Sequence, residues 1–151
     1  MKINAKILWQ RSQGEKFLDG NYRRVHKWIL DGGMRIEASS SPEIVPTPMS
    51  DPSLIDPEEA YILSIASCHM LFFLSIAAKK KFIIEQYQDN PEAIMGKNDE
   101  GKMAVLSLTL HPKVTFAGTN IPVEENIKLI HELAHSNCFL ANSIKTKISI
   151  K

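Results

Sequence analysis

The chain has 151 residues, 44% of them hydrophobic, with 18 Lys and Arg against 17 Asp and Glu for a net charge of +1. That is enough chain for a real core, read here as a single domain over residues 1–151 that folds alone or as a small oligomer. The near-zero charge offers no field to hold a polyanion, so no nucleic-acid partner is expected.

The chain opens with MKINAKILWQRS, in which Ile3, Ala5, Ile7 and Trp9 alternate with polar residues. That period of two predicts a half-buried strand. Gly14, Asp19-Gly20 and Asn21 mark turns, and YRRVHKWILD (22–31) reads as a second strand. Asp31-Gly32-Gly33 signals a hairpin into a third strand, MRIEA, at 34–38. SSSPEIVPTPMSDPSLIDP holds five of the eight prolines and must be a loop, because each lacks a ladder donor and biases its predecessor away from the helical basin.

Asp56-Pro57-Glu58-Glu59 is a helix start, with an N-cap carboxylate, proline at the first helical position and acids in the first turn. The helix is expected to run to about Lys81. Its 19 residues from Ala60 to Ala78 carry no formal charge, which is long enough for a membrane span. Ser64, Ser67, Cys68, His69 and Ser75 interrupt that run, and the rest of the chain has amphipathic sheet patterning. A helix buried in a soluble core or on a dimer axis is the preferred reading, with no membrane partner.

Residues 82–88 (FIIEQYQ) and 103–116 (MAVLSLTLHPKVTF) return to strand patterns, with Asn98-Asp99-Glu100-Gly101 as a turn between them. Pro122-Val123-Glu124-Glu125 repeats the proline-then-acid signal and opens a helix to about Asn137, with Ile127, Ile130, Leu133 and Ala134 on one face. SIKTKISIK closes as a strand. Strands and helices do not strictly alternate, so the class is α+β rather than a doubly wound sheet.

HELAHSNC (131–138) poses a choice of chemistry. His131 and His135, four apart on a helix, face the same way, and Glu132 has the place of a general base beside a metal-bound water. A catalytic zinc needs a third protein ligand, yet SNCFLANSIKTKISIK, which follows His135, contains no Glu, Asp or His. Cys138 would be an unusual substitute. The other reading makes these surface or helix-end histidines that complement the helix dipole. No resident metal or cofactor is expected.

No Arg- or Lys-led apolar leader with a small-residue cleavage site opens the chain, so a cytoplasmic location with reduced thiols is expected. Two cysteines there are catalytic, metal-binding or buried more often than a structural staple. Cys68 lies in SIASCHMLFFL and Cys138 in NCFLANS. The string DPEEAYILSIASCHMLFFLSIAAKK, with HELAHSNCFLANSIKT placing a second cysteine seventy residues after Cys68, resembles the OsmC/Ohr family of organic hydroperoxide reductases. In that family a Pro-Glu pair opens the central helix, the first cysteine comes ten residues after the glutamate, and the second follows the later helix. Pro57-Glu58, Cys68 and Cys138 stand at those places. YRRVHKW and ASSSPEIVPTPMSDP also resemble one branch, so the likeness covers nearly the whole chain.

The resemblance implies an OsmC-like fold of antiparallel sheets around a long central helix, in an intertwined homodimer. It also implies a thiol peroxidase without metal or haem. Cys68 would be peroxidatic and Cys138 resolving, the substrate an organic hydroperoxide, and the reductant a dithiol, typically a lipoylated protein. Only the thiolate attacks a peroxide, and a free thiol is mostly protonated at neutral pH, so positive charge is needed. Cys68 lies roughly three turns into its helix, beyond the reach of the N-terminal dipole. The family uses an arginine held by the helix-start glutamate, here Glu58. Arg24 is the best match for it, with Arg23 and Arg35 as alternatives. His26 and His69 are either proton relays or packed side chains. A hydrophobic-ligand-binding module with the cysteines as passive lining, and a zinc hydrolase using HELAH, stay open beside this reading.

Overall fold

Three strands and the start of a helix make the first of two units in the computed structural model, which describes residues 1–151. This unit, Met1–Tyr61, has a three-stranded antiparallel sheet of β1 (Ala5–Leu8), β2 (His26–Leu30) and β3 (Arg35–Ala38), in that order. The turn at Asp31-Gly32-Gly33 forms as expected. Gly33 takes φ +85°, and its N–H donates to Leu30 O at 2.9 Å while Leu30 N–H donates to Met34 O. The alternation in residues 1–12 yields a strand, but not a half-buried one, for all four β1 residues are exposed and Ile7 is 72% so.

The proline-rich stretch is an ordered loop that folds back on β3. Ala38 bridges Ile55, Ser39 N–H donates to Ile55 O at 3.0 Å, and the buried Ser39 hydroxyl accepts from Asp51 N–H at 3.0 Å. Asp56 then starts α1 (Pro57–Lys79) with a reciprocal cap. Its Oδ1 accepts from Glu59 N–H at 2.7 Å, and Glu59 Oε2 accepts from Asp56 N–H at 3.2 Å. Proline at the next position loses nothing, since its N–H would be orphaned there anyway.

The second unit, Ile62–Lys151, holds the rest of α1, β4 (Ile83–Gln88), β5 (Glu92–Lys97), β6 (Met103–Leu110), β7 (Lys113–Ala117), α2 (Glu124–Asn137) and β8 (Lys147–Ile150). β4 pairs with β7, and β5, β6 and β8 form a second sheet in which β6 is antiparallel to β5 and parallel to β8. β5 was not expected from the sequence. The stretch read as one strand over 103–116 is in fact two, broken at His111-Pro112, where proline cannot extend the ladder. Asp89 Oδ1 holds that break by accepting from His111 N–H at 2.7 Å. The turn at 98–101 forms as read, with Asn98 Oδ1 accepting from Glu100 and Lys102 N–H.

α1 ends two residues earlier than expected, in a Schellman arrangement. Phe82 N–H donates to Ala77 O and Lys81 N–H to Ala78 O, both at 3.0 Å, with Lys81 at φ +66°. The core of this unit is a seam in which Phe73 and Ala77 of α1 meet Ile130 and Ala134 of α2, flanked by Phe82, Ile84, Val114 and Phe116. Small alanines on both helices leave room for the Phe73 ring, and phenylalanines fill the edges. The i, i+4 spacing of Ile65, His69, Phe73 and Ala77 gives α1 a single buried stripe, although the helix is apolar on all sides.

The two ends of α1 predict substitutions of opposite sign. Asp56→Ala, which removes the cap, should cost about 1 kcal/mol. Lys81→Gly, which relieves a side chain from the left-handed region, should add up to about 1 kcal/mol. Urea denaturation of the two variants checks both.

Candidate active site

The seam between α1 and α2 carries the two cysteines. Cys68 is half-buried on α1, and Cys138, the C-cap of α2, is 1% exposed. Both are free thiols, and they lie close enough for the Cys68 sulfur to act on the charge of Cys138. Burial pushes the Cys138 thiol up from its ordinary value and the adjoining Cys68 sulfur pushes the same way, while backbone N–H donors in the following turn oppose the rise. One of them is Ala141 N–H, 3.4 Å from Cys138 Sγ.

That turn explains the sequence CFLANS. Asn142 N–H donates to Cys138 O at 3.1 Å, Asn142 Nδ2 reaches back to Ser136 O at 3.1 Å, and the Ser143 hydroxyl donates to Phe139 O at 2.7 Å. Residues with short polar side chains close the turn locally, and Cys138 is held at its base. Cys68 also lines a cavity of ≈ 500 Å³ with Ser64, Ser67, Leu71, Phe72, Ser75 and Phe139. Phe72 and Phe139 meet edge to face across it, with centroids 5.1 Å apart. Cys68 thus opens on an apolar pocket, and Cys138 backs onto protein.

The histidines of HELAH are neither a metal site nor plain surface residues. No three His, Cys, Asp or Glu side chains converge on a point that could hold a metal ion. His131 Nδ1 instead lies 3.0 Å from Nε2 of His69, which is itself buried. His135 sits in the last turn of α2, as a helix-end histidine would. Burial, with the neighbouring His131 and His135, pushes His69 down to about 4, and burial puts His131 at about 4 as well. Each histidine falls in its helix's apolar stripe, a signal present in the sequence, but their pairing exists only once the helices pack.

Arg24 and Glu58 both lie in the first unit, and they form no ion pair there. The Arg24 guanidinium donates to Gly20 O at 3.1 Å and to Tyr22 O, and stacks 3.5 Å over the Tyr22 ring. One carboxylate oxygen of Glu58 is buried with no hydrogen-bond partner. Tyr22, Trp9 and Phe17 form an aromatic cluster that lines a ≈ 450 Å³ cavity with Arg24, His26 and Pro57. Arg23 and Arg35 are exposed. His26 uses both ring nitrogens internally, Nδ1 to Arg24 O at 2.7 Å and Nε2 from Trp28 Nε1 at 2.9 Å, and is a packed side chain.

Two helices enclosing a thiol pair beside an apolar pocket define a class. The family model of OsmC-like proteins matches residues 50–151, and the chain belongs to that family. Among solved structures, it is similar to an OsmC-like protein of unknown function from Vibrio cholerae, with 45% identity, a TM-score of 0.99 and coverage of 100% of this chain and 98% of that one. It also shares its fold with an organic hydroperoxide resistance protein from Elizabethkingia anophelis (16% identity, TM-score 0.67, 100% and 93% covered). A third match is the organic hydroperoxide resistance protein OhrB of Bacillus subtilis (15% identity, TM-score 0.61, 98% of each chain covered). No curated protein matches the sequence. OsmC-like proteins are small soluble proteins, in keeping with α1 as a core helix despite a length and hydropathy that would suit a bilayer.

Two outcomes follow. In the reduced protein iodoacetamide should label Cys68 well before Cys138, as peptide mass mapping over time would report. Stability should also fall on acidification. Both histidines are depressed from 6.5 to about 4, so the unfolded chain binds more protons between those values. Stability is full above pH 6.5 and declines toward pH 4, by up to about 1.4 kcal/mol per pH unit for each proton taken up. Urea midpoints at pH 7, 6 and 5 would register the fall.

Proposed function

We propose that the protein is a thiol peroxidase that reduces organic hydroperoxides to alcohols. The observation that carries this reading is the contact between an accessible thiol, Cys68, and a buried one, Cys138, beside an apolar pocket. The fold shared with organic hydroperoxide resistance proteins supports it.

In the proposed cycle the Cys68 thiolate attacks one peroxide oxygen, the O–O bond breaks, and the alkoxide leaves and takes a proton to become the alcohol. Cys68 is then a sulfenic acid. Cys138 loses its proton and attacks that sulfur, the hydroxyl leaves as water with a proton, and a Cys68–Cys138 disulfide remains. An external dithiol reduces the bridge by two exchange steps and is itself oxidised to a disulfide. A lipoylated protein is the reductant we favour. The raised pKa of Cys138 suits a resolving thiol, which stays protonated until the sulfenic acid forms beside it.

Glu58 and Arg24 enter by family likeness, to orient the peroxide oxygens and help the leaving alkoxide take a proton. The buried, unpartnered oxygen of Glu58 is consistent with a cation being wanted beside it. We further propose an intertwined homodimer, in which the α1 helix of a second copy would cover the side chains of Leu63 and Leu71, 51% and 59% exposed in the single chain, and a cytoplasmic location. A second reading, a hydrophobic-ligand binder of the same fold, draws on one observation. No cationic side chain lines the Cys68 pocket, and Arg24 is engaged by its own loop.

Peroxide consumption with dihydrolipoamide as donor separates the two readings. Wild type should turn over cumene hydroperoxide and, after one equivalent without donor, show a Cys68–Cys138 bridge by mass spectrometry. Cys68→Ser should fall to background, Cys138→Ser should stop after one turnover, and Arg24→Met and Glu58→Gln should each lose roughly a hundredfold in rate. Wild type with both thiols untouched by peroxide would remove the peroxidase and leave the binder.

A further inference from the structure

His69 and His131 meet inside a seam that is otherwise apolar. Their ring planes are parallel to within 6° with centroids 5.3 Å apart, Nε2 of His69 is 3.0 Å from Nδ1 of His131, and the Phe73 ring lies 4.3 Å from that of His131. The rest of the seam is Phe73, Ala77, Ile130 and Ala134. As packing alone, two imidazoles are a poor choice there. Both are desolvated, and Nδ1 of the fully buried His69 has no partner at all.

The arrangement of protons follows from that orphaned atom. With Nε2–H of His69 donating to Nδ1 of His131, the unpartnered His69 Nδ1 is a bare acceptor, whereas the other tautomer would bury an unpaired N–H, the costlier outcome. What the bond supplies that two leucines would not is direction. Apolar contact tolerates sliding, while a hydrogen bond weakens steeply once its length or angle departs from ideal.

Its place on the two helices gives that direction a use. On α1, His69 follows Cys68 directly. On α2, His131 precedes Cys138 by seven residues, about 10 Å along the axis. The thiol contact and the imidazole contact are therefore two separate ties across one seam. One tie is a pivot, about which α2 can still turn on α1, and a second removes that freedom. A disulfide needs such constraint, because its Cα atoms must fall within roughly 4.4–6.8 Å with a narrow range of torsion.

We propose that His69 and His131 are positioning residues, which lock the rotation of α2 on α1 and thereby favour the disulfide over the dithiol form of Cys68 and Cys138. The inference rests on the reading that these two thiols bridge. It does not require that peroxide be the oxidant.

The test is the dithiol–disulfide equilibrium of the full-length protein in dithiothreitol redox buffers, trapped by alkylation and read by mass. Asn places an amide atom near imidazole Nδ1 and Gln places one near Nε2, so His131→Asn and His69→Gln should stay within about twofold of wild type. The double variant His69→Leu/His131→Leu removes both polar partners without orphaning either. It should shift about tenfold toward the dithiol, equivalent to about 30 mV for two electrons. If that variant does not fold, as judged by its thermal transition, His131→Gln supplies the contrast, since its amide cannot sit where Nδ1 did, and the same tenfold shift is expected. Equal equilibria in wild type and in the folded disruptive variant would overturn the positioning role and leave the peroxidase reading standing. The expected shift together with no peroxide turnover would support the positioning role and remove the peroxidase reading. No bridge in wild type at any buffer ratio would overturn both.

Discussion

A pair of sulfur atoms in contact is the constraint on which the second unit turns. Cys68 and Cys138 come from opposite ends of that unit's chain, and each is held by a different device. Cys68 is fixed by helix geometry, on a turn of α1 whose neighbours Ile65, Ala66 and His69 are buried. Cys138 is fixed where a helix stops, at the base of a turn closed by Asn142 and Ser143. The burial that keeps Cys138 protonated is also what keeps it in place, so position and chemistry have one cause.

The apolar character of the pocket follows from the same helix. Leu71 and Phe72 stand three and four residues after Cys68, on its face, and Phe139 is the residue after Cys138. Both sulfurs thus bring their own hydrophobic wall, and an oxidant with a bulky apolar body would lose water on entering. No cationic side chain of the chain lines that pocket. Arg24 is bonded to Gly20 and Tyr22, and Glu58 keeps a buried oxygen without a donor. An unpaired buried carboxylate oxygen is a cost that a cation would relieve, and Arg24, bound to its own loop, does not relieve it here.

Much of this was legible in the sequence, where local chemistry decides the outcome. Asp31-Gly32-Gly33, Asn98-Asp99-Glu100-Gly101 and Asp56-Pro57-Glu58-Glu59 form what they predict, because a left-handed glycine, an Asn side chain over its own turn and a capping carboxylate act within four residues. The spacing of Glu58, Cys68 and Cys138 pointed to the family that the wider comparison shows. Where distant contacts decide, the reading failed or stayed silent. β5, EAIMGK, has little alternation and a glycine beneath Leu106, and it becomes a strand through its partner β6. The break at Pro112 was readable, since proline has no donor for a ladder, and the strong pattern on either side of it hid the stop. The meeting of His69 and His131 was not readable, because sixty-two residues separate them.

The parallel pairing of β8 with β6 carries a consequence for motion. A hairpin cannot make it, so the chain reaches β6 again only after passing through β7, α2 and the turn that holds Cys138. β8 is four residues long and lies at the sheet's edge, where fraying is cheapest. The moorings of the post-helix segment are therefore unequal: strong backbone anchorage inside α2, and on the far side a short strand aided by Thr146 on Val105 O. The chain that leaves Cys138 is therefore tethered downstream by a short edge strand, the weaker of its two anchorages.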